Sequence, residues 1–113
     1  MRILFDNSVP IPLRRFLAGH AVTASVELKW ERLKNGKLLA AAQEAGFHLF
    51  VTCDQAMRNE KNLTNRRIAI LTLGSNFWPL LKARVKEIAA LVNVIEPGQY
   101  NFMEFPEGHK RNW

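Results

Sequence analysis

Phe47-His48-Leu49-Phe50-Val51-Thr52-Cys53-Asp54 is the stretch that decides the fold. Residues 47–52 form a nearly continuous apolar run, without the alternation of a strand that shows one face to water. A short run of this kind is the pattern of a strand covered on both faces, as in parallel sheets. It ends at Asp54. Immediately upstream, Leu38, Leu39, Ala42 and Ala45 fall on one helical face. Asn35 stands where a cap opens such a helix, and Gly46 where a left-handed residue closes it. Downstream, residues 68–73 repeat the buried-strand pattern and end in the turn Gly74-Ser75-Asn76. Strand follows helix and helix follows strand, the order of an α/β domain.

The rest of the chain extends the alternation. Residues 1–5 read as a strand ending at Asp6, followed by a proline-rich loop through Pro12. A short helix should come next, with Leu13, Phe16 and Leu17 on one face and Gly19 as its stop. Residues 20–24 form a second strand, and 25–34 a helical turn with a charged loop. Residues 55–63 suggest a short polar helix or loop. From Phe77, the positions Leu80, Leu81, Val85, Ile88, Leu91 and Val92 keep helical spacing, predicting one long amphipathic helix. Pro97 and Gly98 break it, residues 100–105 can form an edge strand, and 107–113 read as a loose tail. The expected architecture is a three-layer α/β/α sandwich on a mainly parallel sheet with right-handed crossovers, one domain over residues 1–106.

A chain of 113 residues, 48% of them apolar, can bury a core without disulfides or a structural metal. No apolar run approaches the roughly 20 residues of a membrane helix, and the N-terminus reads as a strand rather than a signal peptide. These features, with a single cysteine, Cys53, predict a cytoplasmic protein without a membrane partner. Cys53 reads as a small residue ending a buried strand. The formal charge of +6 permits a polyanionic partner.

In a parallel sheet, ligands bind beyond the carboxyl ends of the strands. The residues due there are Asp6 and Asn7, Asp54 and Gln55, and Ser75 and Asn76. Asp6 and Asp54 are the only aspartates in the chain. A divalent cation would relieve the repulsion between two such carboxylates, and hard oxygen ligands suit Mg²⁺ or Mn²⁺. The Asp, Ser and Asn residues among these are equally suited to capping the next helix. His20, His48 and His109 lack metal-ligand spacing, and Asn59, Asn62 and Asn65 read as loop residues. Arg14, Arg15, Lys34, Lys37 and Arg58 lie in or beside the loops leaving the strand ends, where they could hold a phosphate backbone.

Several segments together resemble a known family: ILFDNSVP at 3–10 with the Pro, Leu, Arg and Arg after it, Gly19-His20, ELKWERLKNGKLLAAAQEAGF at 27–47, LFVTCDQ at 49–55, and Asn76 before the last long helix. They are similar to the short bacterial PIN-like domains, over nearly the whole of residues 1–106. The resemblance implies a metal-dependent endoribonuclease, of the kind that serves as the toxin of a toxin–antitoxin pair held inactive by an antitoxin protein. It matches Asp6 and Asp54 to the family's two most characteristic acids. Where many relatives carry a further acid at the start of the middle helix, this chain has Asn35, then Gly36 and Lys37. Glu27 is the nearby acid that could replace it, and Asn76 stands at the last position. Catalysis through Asp6, Asp54, Asn35 and Asn76 is one reading; a non-catalytic module binding RNA or a partner protein is the other. A homodimer is left open.

Overall fold

The computed structural model describes residues 1–59 and 67–106, and of these all side chains but those of Asn35, Arg58 and Asn59. Its frame is a five-stranded sheet in the order β2-β1-β3-β4-β5, with β1 at Arg2–Phe5, β2 at Ala21–Ala24, β3 at Leu49–Thr52, β4 at Ala69–Leu73 and β5 at Tyr100–Met103. Every pairing is parallel, so the expected α/β class is observed. In register, Phe5 lies opposite Val51, and Thr52 opposite Thr72. The sheet thus has one carboxyl edge, and all five strands end on it. β3 and β4 are buried at every position, as their unbroken apolar runs predict.

Helices cover both faces. Helix α1, Asn35–Glu44, lays Leu38, Leu39 and Ala42 on Leu4, Phe50 and Ile70. The other face carries Ile3, Phe5, Val51 and Leu71, and here pack a 3₁₀ helix at Ile11–Phe16 and two α-helices, α2 at Trp78–Ala83 and α3 at Val85–Val94. Leu13 and Leu17 are buried beneath the 3₁₀ helix, whereas Phe16 stays partly exposed and stacks on Trp78 with ring centroids 5.9 Å apart. Further 3₁₀ helices occur at Ser25–Leu28 and Gln55–Asn59.

Helix α1 ends as its sequence requires. Gly46 adopts φ +87°, its N–H bonds to the Gln43 carbonyl, and the Phe47 N–H reaches back to Ala42. This paired closure satisfies the last turn and drops Phe47 onto the apolar face it shares with Ala42. Strand β3 therefore begins at Leu49, later than the apolar run, and Ala45 stays exposed. At the other end the cap position falls to Lys34, making Asn35 the first helical residue rather than the cap.

Two further expectations are corrected. The long helix is two helices, broken at Arg84, whose backbone lies at φ −125° and ψ 26°. The Arg84 side chain reaches the Glu104 carbonyl at 2.7 Å and covers the Phe105 ring at 4.6 Å, fastening the break to the end of β5. The helical spacing survives because Leu81 and Ile88 lie two turns apart, and both remain buried.

The second correction concerns handedness. The connections β2 to β3 and β4 to β5 step the same way across the sheet, yet α1 covers one face and α2 with α3 the other, so the two crossovers have opposite hands. The connection from β1 to β2 brings only a short 3₁₀ helix to the face that α2 and α3 share with it. Ile88 and Val92 of α3 bury what that helix leaves open. Among the described residues no helix is long and apolar enough to cross a membrane. The expected tail at 107–113 lies outside the described residues.

Candidate functional site

Strand order reverses at β1 and β3: the chain leaves β1 toward one edge and β3 toward the other. In an open parallel sheet this is where a crevice forms beyond the strand ends. The residues there are Asp6, Asn7 and Ser8 after β1, and Cys53, Asp54 and Gln55 after β3.

Asp6 is 7% exposed. Its Oδ1 accepts hydrogen bonds from the Ser8 N–H at 2.8 Å and from the Ser8 hydroxyl, and its Oδ2 accepts one from the hydroxyl of buried Thr52. Backbone amides set the direction of both hydroxyls. The Cys53 N–H donates to Ser8 Oγ at 2.9 Å and the Asp54 N–H to Thr52 Oγ1 at 3.0 Å. An amide can only donate, so each hydroxyl accepts from β3 and turns its one proton toward Asp6. The result joins the ends of β1 and β3 through a single carboxylate that acts only as an acceptor.

Asp54 is half-buried and organised from its own side. Its Oδ1 accepts the Ala56 N–H at 2.9 Å, opening the 3₁₀ helix Gln55–Asn59. It thus fills the capping role while standing on the strand next to Asp6. Gln55 donates from Nε2 to the Gly74 carbonyl at 3.1 Å, tying the end of β3 to that of β4. Ser75 Oγ accepts the Phe77 N–H at 3.0 Å, and Asn76 is exposed beyond β4. All follow carboxyl ends of parallel strands and so share one edge, as the alternation predicts.

Other expected residues are engaged elsewhere. Asn7 turns toward β2, accepting from Ser25 Oγ at 2.8 Å and donating to the Glu31 carbonyl at 3.2 Å. Glu27 Oε1 accepts the Ala24 N–H at 2.8 Å and Arg14 Nη1 at 3.0 Å. The Ala24 hydrogen bond, with Arg14 beside it, holds the Glu27 carboxyl below its ordinary value. Arg15, Lys34 and Lys37 are exposed; Lys34 and Lys37 stand at the start of α1, which runs back from the end of β2 and so begins at the carboxyl edge. The side chains of Asn35 and Arg58 lie outside those described. His48 is exposed, at the opposite edge of the sheet, where its Nδ1 accepts the Arg2 N–H.

Cys53 stands between the aspartates in sequence. Burial, reinforced by the Asp6 charge, pushes its thiol up to about 12. A thiol kept protonated is neither a nucleophile nor a soft metal ligand. The other side-chain donors here are hard oxygens: the Asp6 and Asp54 carboxylates with the Ser8 and Thr52 hydroxyls. Such a set suits Mg²⁺ or Mn²⁺ and not Zn²⁺. Among the described residues, no three His, Cys, Asp or Glu side chains gather as a metal cluster.

Ser8 and Thr52 are the residues that reading strand ends alone does not single out as site residues. The signals are the spacings Asp-x-Ser and Thr-x-Asp, each placing a hydroxyl two residues from a carboxylate. Comparison of the chain with protein families, curated proteins and solved structures found no match. The class defined by fold and site is an all-parallel α/β domain with an aspartate after each of the two strands at its topological switch point.

Proposed function

We propose that this protein is a PIN-like endoribonuclease dependent on Mg²⁺ or Mn²⁺, acting in the cytoplasm and suited to serve as the toxin of a toxin–antitoxin pair. The observation carrying this reading is the position of Asp6 and Asp54 at the ends of neighbouring parallel strands, at the point where strand order reverses. Asp6 and Asp54 would hold the ion, with Asn76 as a candidate neutral supplement, Glu27 being committed to Ala24 and Arg14. Bound there, a divalent ion supplies a more acidic water and a counter-charge for a scissile phosphate.

The chain's own residues do the remaining work. Ser8 and Thr52 fix the Asp6 carboxylate, and the 3₁₀ turn at Ala56 fixes Asp54. Arg15, Lys34 and Lys37 are free to hold the RNA backbone away from the reacting phosphate. The N-terminus of α1 adds positive potential on the same edge.

Metal removal tests the proposal directly. Purified protein incubated with a labelled, mixed-sequence single-stranded RNA should cleave it in Mn²⁺ and stop when EDTA is added, and Mn²⁺ alone should raise the melting temperature. The absence of both effects overturns the nuclease reading. It would favour a non-catalytic module that binds RNA or a partner protein through this edge. One observation supports that alternative: Asp6 already accepts three hydrogen bonds.

A further inference from the structure

We infer that Ser8 is a positioning residue for the proposed metal site, its hydroxyl transmitting the fixed end of β3 to the Asp6 carboxylate. The inference rests on the nuclease reading and concerns one of the two site residues to which the strand-end pattern gives no role. Asp6 could rotate about its side-chain bonds unless both oxygens were held. Thr52 holds Oδ2 from within β3 itself, where the sheet fixes its position. Oδ1 has no such partner in a strand, since Ser8 belongs to the loop that follows β1. The Ser8 N–H reaches Oδ1 by local turn geometry, which fixes the loop to the aspartate but neither of them to the sheet. The hydroxyl supplies that connection, since Ser8 Oγ also accepts the Cys53 N–H, 45 residues away in the chain.

The direction of the proton follows from this. With the Cys53 amide donating into it, Ser8 Oγ has its own hydrogen left for Asp6, which holds Oδ1 as Thr52 holds Oδ2. Partners that orient a metal-binding carboxylate typically carry 10–100-fold in metal affinity or activity. Alanine at position 8 keeps the backbone N–H and removes only the hydroxyl. It therefore isolates the connection to β3 from the local turn.

Wild type, Ser8→Ala and Ser8→Thr are compared for Mn²⁺ affinity, read from the melting temperature across a Mn²⁺ titration, and for kcat and KM on labelled single-stranded RNA. Ser8→Ala should weaken Mn²⁺ binding about tenfold or more and lower kcat in proportion, with KM for RNA unchanged. Ser8→Thr, which keeps the hydroxyl, should recover most of both. Ser8→Ala within threefold of wild type in affinity and kcat overturns the inference while leaving the nuclease reading intact. So does Ser8→Thr failing to differ from Ser8→Ala, which would make the effect one of packing. A wild type that neither binds Mn²⁺ nor cleaves overturns the nuclease reading and the inference with it.

Discussion

Asp6 and Asp54 are the same residue type just past the ends of adjacent strands, and their surroundings make opposite demands on substitution. Replacing Asp6 with alanine strands three donors, two of them hydroxyls that are each oriented by an incoming backbone amide. Unpaired buried donors are costly, so Asp6→Ala should destabilise the fold by about 3 kcal/mol, read from urea denaturation without metal. Asp54 meets the backbone as a cap at the Ala56 N–H. Asparagine caps as well as aspartate, so Asp54→Asn should leave stability within about 0.5 kcal/mol of wild type, or raise it slightly by relieving repulsion from Asp6. The same substitution should abolish Mn²⁺-dependent cleavage. Retained cleavage by a folded Asp54→Asn protein would reduce Asp54 to a cap. Cys53 supplies a third test. Its thiol is raised from 9.0 to about 12 in the folded state, so its contribution to stability is complete below pH 9 and is lost as pH rises from 9 toward 12. Cys53→Ser should flatten that alkaline decline in denaturation midpoints. Alkylation of native wild type near pH 8 should be far slower than that of the unfolded chain.

At the scale of elements, what the sequence discloses depends on where the cause of a structure lies. Helix α1 is legible because its ending is local: Gly46 provides the positive φ, and Phe47 and Ala42 close the cap within a few residues. Strands β3 and β4 are legible because burial on both faces leaves an unbroken apolar run. The break at Arg84 is hidden, since its partners, the Glu104 carbonyl and the Phe105 ring, arrive from beyond the next strand. The site divides in the same way. Asp6 and Asp54 are visible as strand ends, whereas the Ser8 and Thr52 connections need the β1–β3 pairing before they can be seen. Gly74 makes this non-local side of the fold testable. A Cβ there would lie 3.0 Å from the Met103 carbonyl oxygen and 3.1 Å from the Phe105 nitrogen, both backbone atoms of the neighbouring segment. Gly74→Ala should therefore cost about 2 kcal/mol by forcing the ends of β4 and β5 apart, measured as a fall in the urea midpoint. An unchanged midpoint would show that β5 yields freely at its end.

Over the whole molecule, the excess of positive charge becomes informative once the groups already paired are set apart. Arg14 is held by Glu27, and Arg84 by Glu87, so neither is simply available to a polyanion. Arg15, Lys34 and Lys37 are exposed, and the two lysines begin a helix whose N-terminus lies on the same edge as Asp6 and Asp54. If this edge binds RNA through phosphates, affinity must fall with salt as counterions cease to be released. About three phosphate contacts on a single strand imply a loss of roughly twentyfold between about 50 and 200 mM salt. Metal-free protein and labelled single-stranded RNA, followed by fluorescence anisotropy, give that slope without interference from cleavage. Lys37→Ala should make it shallower by about 0.7 in log–log units, the share of one phosphate on a single strand. Arg14→Ala should change it less than Arg15→Ala, because the Arg14 guanidinium is already spent on Glu27 and on the Val22 carbonyl at 3.4 Å. Equal slopes for wild type and Lys37→Ala would move the RNA contact away from the start of α1. A salt-independent affinity would remove phosphate recognition from this edge altogether, leaving the aspartate pair without the means to hold a nucleic acid chain against it.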